Sequence, residues 1–243
     1  ASSILYSMGI TQHSTGTDNV QAVSNLALIC GQLGRPGTGV MPLRGQNNVQ
    51  GACDMGALAE FYPGYKKAVD PKTIQYFSAA WSVQDLPLGP GLTATEMIDA
   101  AAAGTIKAMY IMGEDPANSD PCSDHVRQAL ESLDFLVVQD IFMTATAMLA
   151  DVVLPGAVWA EKEGSFTNTE RRVQWSCKAI EPPGAARSDG EIICDVARSM
   201  GLQFNYPHVA SVLDEINRTV PQYAGITRER LDAFHHVENT YIS

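Results

Sequence analysis

The stretch IKAMYIMGEDPANSDPCSDHVRQALESLDFLVVQD, residues 106–140, decides the fold. IKAMYIM is an apolar run of strand length that stops at Gly113. DPCSDHVRQALESL then reads as a helix, with Asp120 as its cap and Pro121 at its first position. FLVVQ is a second apolar run, closed by Asp140, and after a short helical patch around Thr144 to Ala150 the run DVVLP supplies a third. Strands joined by helical crossovers lie parallel, with the helices covering the sheet. The predicted class is therefore α/β, a parallel or mixed sheet covered by helices in the manner of dinucleotide-binding folds.

The flanks extend this pattern. TATEMIDAAAAG, residues 93–104, offers a capping box in Thr93 and Glu96 and a stop at Gly104. SDGEIICDVARSMG, residues 188–201, repeats the device with Ser188, Glu191 and Gly201. At the other end SSILYSM predicts a strand ending at Gly9, followed by a polar turn and a helix from about Thr17 to Leu33, closed by Gly34 and Pro36. From Gly34 to Leu58 six glycines fall in 25 residues with little periodicity, which predicts a long connecting loop. Residues 59–92, punctuated by Pro63, Pro71, Pro87 and Pro90, read as irregular surface.

Ligands of open parallel sheets bind beyond the carboxyl ends of the strands. Here those ends run into GEDPANSD, residues 113–120, and into Asp140, which lies 27 residues beyond Gly113. That separation is close to the one at which dinucleotide folds set a carboxylate on a nucleoside, yet no GxGxxG is present, which weighs against a nicotinamide ligand. Guanine offers N1–H and an exocyclic amine side by side, and Asp115 and Asp140 are the acceptors that suit it. The plainer alternative has Asp115 opening a turn before Pro116 and Asp140 capping the short helix that follows. Residues 150–174 carry Glu161, Glu163, Thr167, Asn168, Thr169, Arg171 and Arg172. They read either as a pyrophosphate-binding segment or as a solvated hairpin.

Composition sets the outer bounds. With 243 residues, 45% hydrophobic side chains and 18% charged, the chain can bury one large core or two modest ones. The net charge of −11 argues against nucleic acid or an anionic membrane as the main partner, and no apolar run reaches membrane-spanning length. Five cysteines without a CxxC pair predict buried thiols in a reducing compartment rather than a metal site within this chain. The adjacent His235 and His236 make no metal motif.

LRGQNNVQGACDMG, residues 43–56, is polar and glycine-rich, as a loop wrapped around a ligand would be. With the preceding residues from MGITQHSTG onward, and with YIMGEDPANSD, VVQDIFMTATAMLADVVLP, EGSFTNTERRVQ and, more loosely, VPQYAGITRERL, it resembles the catalytic alpha subunits of molybdenum- or tungsten-dependent formate dehydrogenases. These belong to the dimethyl-sulfoxide-reductase superfamily of molybdopterin oxidoreductases. The resemblance implies a metal held by two molybdopterin guanine dinucleotides. Met8, Gly9 and Gln12 would face the pterins, with Gly45 and Gln46 among the cofactor contacts, and Arg44 would orient formate. Gly113, Glu114, Asp115, Gln139 and Asp140 would hold one guanosine end, and Thr144, Asp151 and Arg171 would complete the cofactor-binding set. Cys53 and Asp54 would shape the loop.

By the same resemblance, residues 1–45 would end one dinucleotide-like domain and residues 46–243 would form most of a second. The family's four-cysteine iron-sulfur site, its cysteine or selenocysteine metal ligand and its C-terminal cap domain have no counterpart in this sequence. The expectation is an internal fragment that binds no cofactor and is inactive alone. Its partners would be the N- and C-terminal parts of the same subunit and electron-transfer subunits, in the cytoplasm unless an upstream export signal intervenes. The rival readings are a non-catalytic superfamily member with a structural or electron-transfer role, another molybdopterin oxidoreductase, and a nicotinamide-binding domain.

Overall fold

The computed structural model describes residues 1–235, so His236 and the end of the range 46–243 lie outside the described chain. β1 (Ser3–Tyr6) leads into the one-turn helix α1 (Met8–Thr11) and then α2 (Gly16–Ile29), and β2 (Gly39–Pro42) pairs parallel with β1, Tyr6 opposite Pro42. α2 stops at Ile29 rather than Leu33. Gly31 takes a left-handed conformation (φ +62), and Gly31 N–H and Gln32 N–H bond back to Leu28 O at 2.9 Å and Ala27 O at 2.8 Å, the Schellman closure of a helix.

The segment expected as loop and irregular surface is largely structured. Besides β2 it contains α3 (Val49–Asp54), the hairpin of β3 (Phe61–Tyr62) and β4 (Lys66–Lys67), and α4 (Pro71–Trp81). Pro71 starts α4 instead of breaking it, because a first-turn residue needs no intrahelical N–H, and Asp70 caps the turn by accepting from Lys72 N–H at 2.9 Å. Phe77 of α4 is fully buried, with ring centroids 5.4 Å from Tyr62 and 4.6 Å from Trp81.

α5 (Ala94–Ala102) carries the expected capping box. β5 (Ala108–Met112), α6 (Pro116–Ser119), α7 (Ser123–Glu131), β6 (Phe135–Asp140) and β7 (Val152–Pro155) follow, and the three strands form a parallel sheet in the order β5-β6-β7. Ile98 and Ala101 of α5, Val126, Ala129 and Leu130 of α7, and Leu136 and Val138 of β6 make the main core. α7 begins at Ser123, not at Pro121. Its cap is Cys122 in a left-handed conformation (φ 60), while Asp120 is extended and closes α6. The one-turn helix α6 has used Asp120 as its own cap, and Pro121 falls in the bend between the two helices.

Residues 164–176 fold as the antiparallel hairpin of β8 (Gly164–Thr167) and β9 (Val173–Ser176). α8 (Asp189–Ser199), with its Ser188–Glu191 box, α9 (Val209–Thr219) and α10 (Arg228–His235) complete the described chain. Trp175, Leu213 and Leu231 form a smaller core, and the Arg228 guanidinium lies 4.1 Å from the Trp175 ring centroid. The cysteines depart from expectation: Cys30, Cys122 and Cys177 are exposed and Cys53 and Cys194 are half-buried. Cys30 and Cys122 sit at helix caps, at the element ends rather than in the core. Among the described residues no helix is long and apolar enough to cross a membrane.

Candidate functional site

Two sets of strand ends present the candidate residues. In the β5-β6-β7 sheet, Met112 pairs with Gln139 and Asp140 with Pro155, so the three carboxyl ends lie side by side. The chain leaves them on Gly113 N–H, which donates to Gln139 O at 2.9 Å, and Gly156 N–H, which donates to Asp140 O at 2.9 Å. Gly113 is left-handed (φ 64), and a Cβ there would have nothing within 4 Å, so backbone is open to a ligand at this point.

Asp115 stands just beyond Gly113. Its Oδ1 accepts from Thr146 N–H at 2.8 Å and from the Thr146 hydroxyl at 2.7 Å, and Thr146 is fully buried. Asp140 Oδ1 accepts from the N–H of its neighbour Ile141 at 2.6 Å, so it does not cap the short helix that begins at Ala147. Among the described residues Oδ2 of each carboxylate carries no hydrogen bond. Glu114 accepts from the Ser119 hydroxyl at 3.2 Å, and Thr144 Oγ1 accepts from Ala147 N–H at 3.1 Å in the turn after β6.

Gln139 is buried between two partners. Its carbonyl accepts from the Tyr110 hydroxyl, and its amide donates to Asp189 Oδ1 at 2.7 Å. Asp189 also pairs with Lys162, and its Oδ1 and Asp140 O lie 3.6 and 3.7 Å from where a Gly156 Cβ would stand. Burial, and then the charge of Asp189, raise the Tyr110 phenol above its ordinary value. Asp189 and Lys162 were missed in the sequence. Asp189 sits at the first position of α8 beside the capping serine, so local pattern reads it as helix punctuation.

The second set is the β1-β2 pair. Leu43 N–H donates to Tyr6 O at 2.7 Å and the Ser7 hydroxyl to Leu43 O at 2.9 Å, which latches the two chain exits together. Met8 and Gly9 in α1 and Arg44 beyond β2 thus follow from adjoining strand ends, with Gln12 after α1 and Gly45 and Gln46 after Arg44. Gly9 and Gly45 have nothing within 4 Å of a Cβ position. Arg44 is exposed and forms no ion pair among the described residues, and its Nη1 touches Cys53 Sγ at 3.9 Å.

Two expected residues lie elsewhere. Asp151 precedes β7 at the amino end of the sheet, where its Oδ2 accepts from Leu136 N–H at 2.7 Å. That is a strand length, on the order of 13 Å, from Asp140. Arg171 (φ 62) occupies the β8-β9 turn with its guanidinium 5.5 Å from the centroid of Tyr65, so it faces the region of α3. Among the described residues no group of three or more His, Cys, Asp or Glu side chains is placed to hold a metal ion.

An α/β chain with polar residues gathered at parallel strand ends suits a ligand bound beyond those ends. The family model for molybdopterin oxidoreductases matches residues 1–199, and the chain belongs to that family. It is 56% identical over 237 residues to the F420-dependent formate dehydrogenase subunit alpha of Methanocaldococcus jannaschii, covering 96% of this chain and 35% of that protein. It is 52% identical to F420-dependent formate dehydrogenase 1 subunit alpha of Methanococcus maripaludis, covering 97% of this chain and 35% of that protein. It is 44% identical to formate dehydrogenase H of Escherichia coli, covering 95% of this chain and 32% of that protein. The chain thus spans about a third of the length of these relatives.

The residues fit a molybdopterin cofactor. Gly9, Gly45 and Gly113 leave backbone uncovered for a flat ligand to approach, and the open oxygens of Asp115 and Asp140 suit a ligand edge rich in N–H donors.

Proposed function

We propose that this chain is part of the catalytic subunit of a molybdopterin-dependent formate dehydrogenase. The reaction is HCOO⁻ to CO2, one proton and two electrons. The observation that carries the reading is Arg44, an exposed guanidinium without an ion-pair partner among the described residues, set just beyond the latched β1-β2 exit. A planar guanidinium can give formate two parallel charge-assisted hydrogen bonds, which fixes its carboxylate and aims its C–H bond. Arg44 thus binds and orients; the metal-dithiolene centre, when bound, accepts the two electrons.

Met8, Gly9, Gln12, Gly45 and Gln46 are the residues of this chain that would lie against the pterins. Gly113, Glu114, Asp115, Gln139 and Asp140 would hold a guanine dinucleotide end, with Asp189 adding a third carboxylate and Thr144 shaping the turn. Asp151 serves the sheet register instead, and Arg171 would reach the cofactor from the α3 side. The dinucleotide form of the cofactor, molybdenum or tungsten as its metal, an iron-sulfur cluster outside this chain, electron-transfer subunits and a cytoplasmic site complete the proposal. So does a division near residue 45 between two dinucleotide-like domains.

The test uses the intact subunit carrying Arg44→Lys, which keeps the charge and loses the fork. kcat/KM for formate is expected to fall by about 1.5–3 kcal/mol, the range for hydrogen bonds to charged groups, with molybdenum or tungsten content unchanged. Unaltered formate kinetics would remove Arg44 from the reaction, and an intact protein without pterin would favour the non-catalytic alternative.

A further inference from the structure

α3 is six residues long, too short to hold its shape alone, and its cap makes no side-chain hydrogen bond within the helix. Its order comes from a buried polar network. Gln50, Asp54, Thr167 and Tyr223 are 4%, 6%, 6% and 7% exposed. The Tyr223 hydroxyl donates to Asp54 Oδ2 at 2.9 Å, and Gln50 Nε2 donates to Asp54 Oδ1 at 2.8 Å. The same hydroxyl meets Thr167 Oγ1 at 3.0 Å, and Thr167 N–H donates to Asn48 Oδ1 at 2.9 Å. Asp54 forms no ion pair among the described residues, so its buried carboxyl relies on these two neutral donors. A buried carboxyl so held is costly to move, because any displacement leaves it or its donors unpaired.

The network reaches both arginine-bearing segments. Cys53, next to Asp54, touches Arg44, and Gln50 Nε2 also meets the Tyr65 hydroxyl at 3.1 Å, whose ring carries Arg171. The segment that supplies Tyr223 clamps the turn after α3 a second time, with Gln222 Nε2 donating to Gly64 O at 3.0 Å and Gly64 N–H to Asp54 O at 2.7 Å. Tyr223 lies 169 residues from Asp54 and beyond the residues matched by the family model.

We propose that Asp54 and Tyr223 are a positioning pair, which fixes α3 and through Cys53 sets the place of the Arg44 guanidinium. The inference rests on the substrate role proposed for Arg44. Burial first, and then the neighbouring Asp54, push the Tyr223 phenol up to about 12, so the hydroxyl keeps its proton and remains a donor through the neutral range.

The experiment compares Tyr223→Phe, Tyr76→Phe and Arg44→Lys in the intact cofactor-loaded subunit. Tyr76 is the control outside the network, because its hydroxyl ties α4 to Thr219 O at 2.9 Å from an exposed position without touching α3. Tyr223→Phe is expected to raise KM for formate roughly tenfold, the worth of about one hydrogen bond, while kcat changes less than about threefold. Backbone hydrogen exchange in residues 49–56 should quicken in the same variant. Tyr76→Phe should lower thermal stability by less and move neither reading.

An unchanged KM and exchange rate in Tyr223→Phe, or equal shifts in Tyr76→Phe, would overturn the pair as a positioning device. Should Tyr223→Phe yield no folded enzyme, Asp54→Asn gives the readings in milder form, since its one carbonyl oxygen replaces two carboxylate oxygens and cannot accept from both Tyr223 and Gln50. If Arg44→Lys alone leaves formate kinetics unaltered, the formate reading falls. The exchange arm then decides the anchoring separately: quickened exchange at 49–56 upholds it and unchanged exchange overturns it.

Discussion

Gly113 and Asp140 stand where the backbone ladder of a three-stranded parallel sheet leaves them, whereas Arg44 stands on a loop held by side chains from distant parts of the chain. At the strand ends the latches are main-chain bonds, Gly113 to Gln139 and Gly156 to Asp140, each one residue beyond the sheet pairs Met112–Gln139 and Pro155–Asp140. At the arginine loop a main-chain latch to β1 fixes the exit, but α3 depends on Asn48, Thr167 and Tyr223, with partners 119 and 169 residues apart. The first arrangement tolerates side-chain change because the ladder survives it. The second has no ladder of its own to fall back on.

The largest effect that tests this contrast is expected at Asp54. Asp54→Ala removes the acceptor of both Gln50 and Tyr223 inside the network, and a stability loss of about 2–4 kcal/mol in denaturant unfolding of the intact subunit is expected. A loss near zero would mean that the buried network contributes little and that α3 is held by packing alone.

The next effect separates the two carboxylates of the strand-end cluster. Asp115→Ala strands the N–H and hydroxyl of buried Thr146, which should cost about 1–3 kcal/mol of stability. Asp140→Ala gives up one bond to its own neighbour at a half-exposed position, and a change of less than about 1 kcal/mol is expected. If both carboxylates accept from guanine, both variants should lose guanine nucleotide on purification. Full nucleotide content in both would leave Asp115 a purely structural residue.

The smallest effect lies away from both regions. Ser188→Ala removes the cap of α8 and should destabilise by about 1 kcal/mol, read as a lower Tm. The Ser188 hydroxyl is the main cause that holds Glu191 below the usual carboxylate range. A depressed folded pKa contributes stability that is present above the unfolded value, about 4.3, and is lost as pH falls through the folded one. The Tm gap between the wild-type chain and Glu191→Gln should therefore close on acidification below about pH 4. A pH-independent gap would show that the box acts through shape rather than charge.

The parallel sheet was legible because its signals are local. IKAMYIM, FLVVQ and DVVLP are apolar runs of strand length, and the Thr93–Glu96 and Ser188–Glu191 boxes announce their helices within four residues. A local signal misleads where it has two uses. Asp120 and Pro121 look like the start of α7, yet Asp120 closes α6. Pro71 looks like punctuation in a proline-rich surface, yet it opens a helix that buries Phe77.

The sequence by itself determined the family, the β5-β6-β7 strand ends and the Arg44 loop, because those features are written in contiguous residues whose chemistry needs no partner to be recognised. Only the tertiary structure decided that Asp189 joins Gln139, that Asp151 belongs to the far end of the sheet, and that Tyr223 holds Asp54. A hydrogen bond between residues 50 or 169 positions apart leaves no periodicity in the chain. It exists because folding brings the two groups out of water together, where each must find the other or go unpaired.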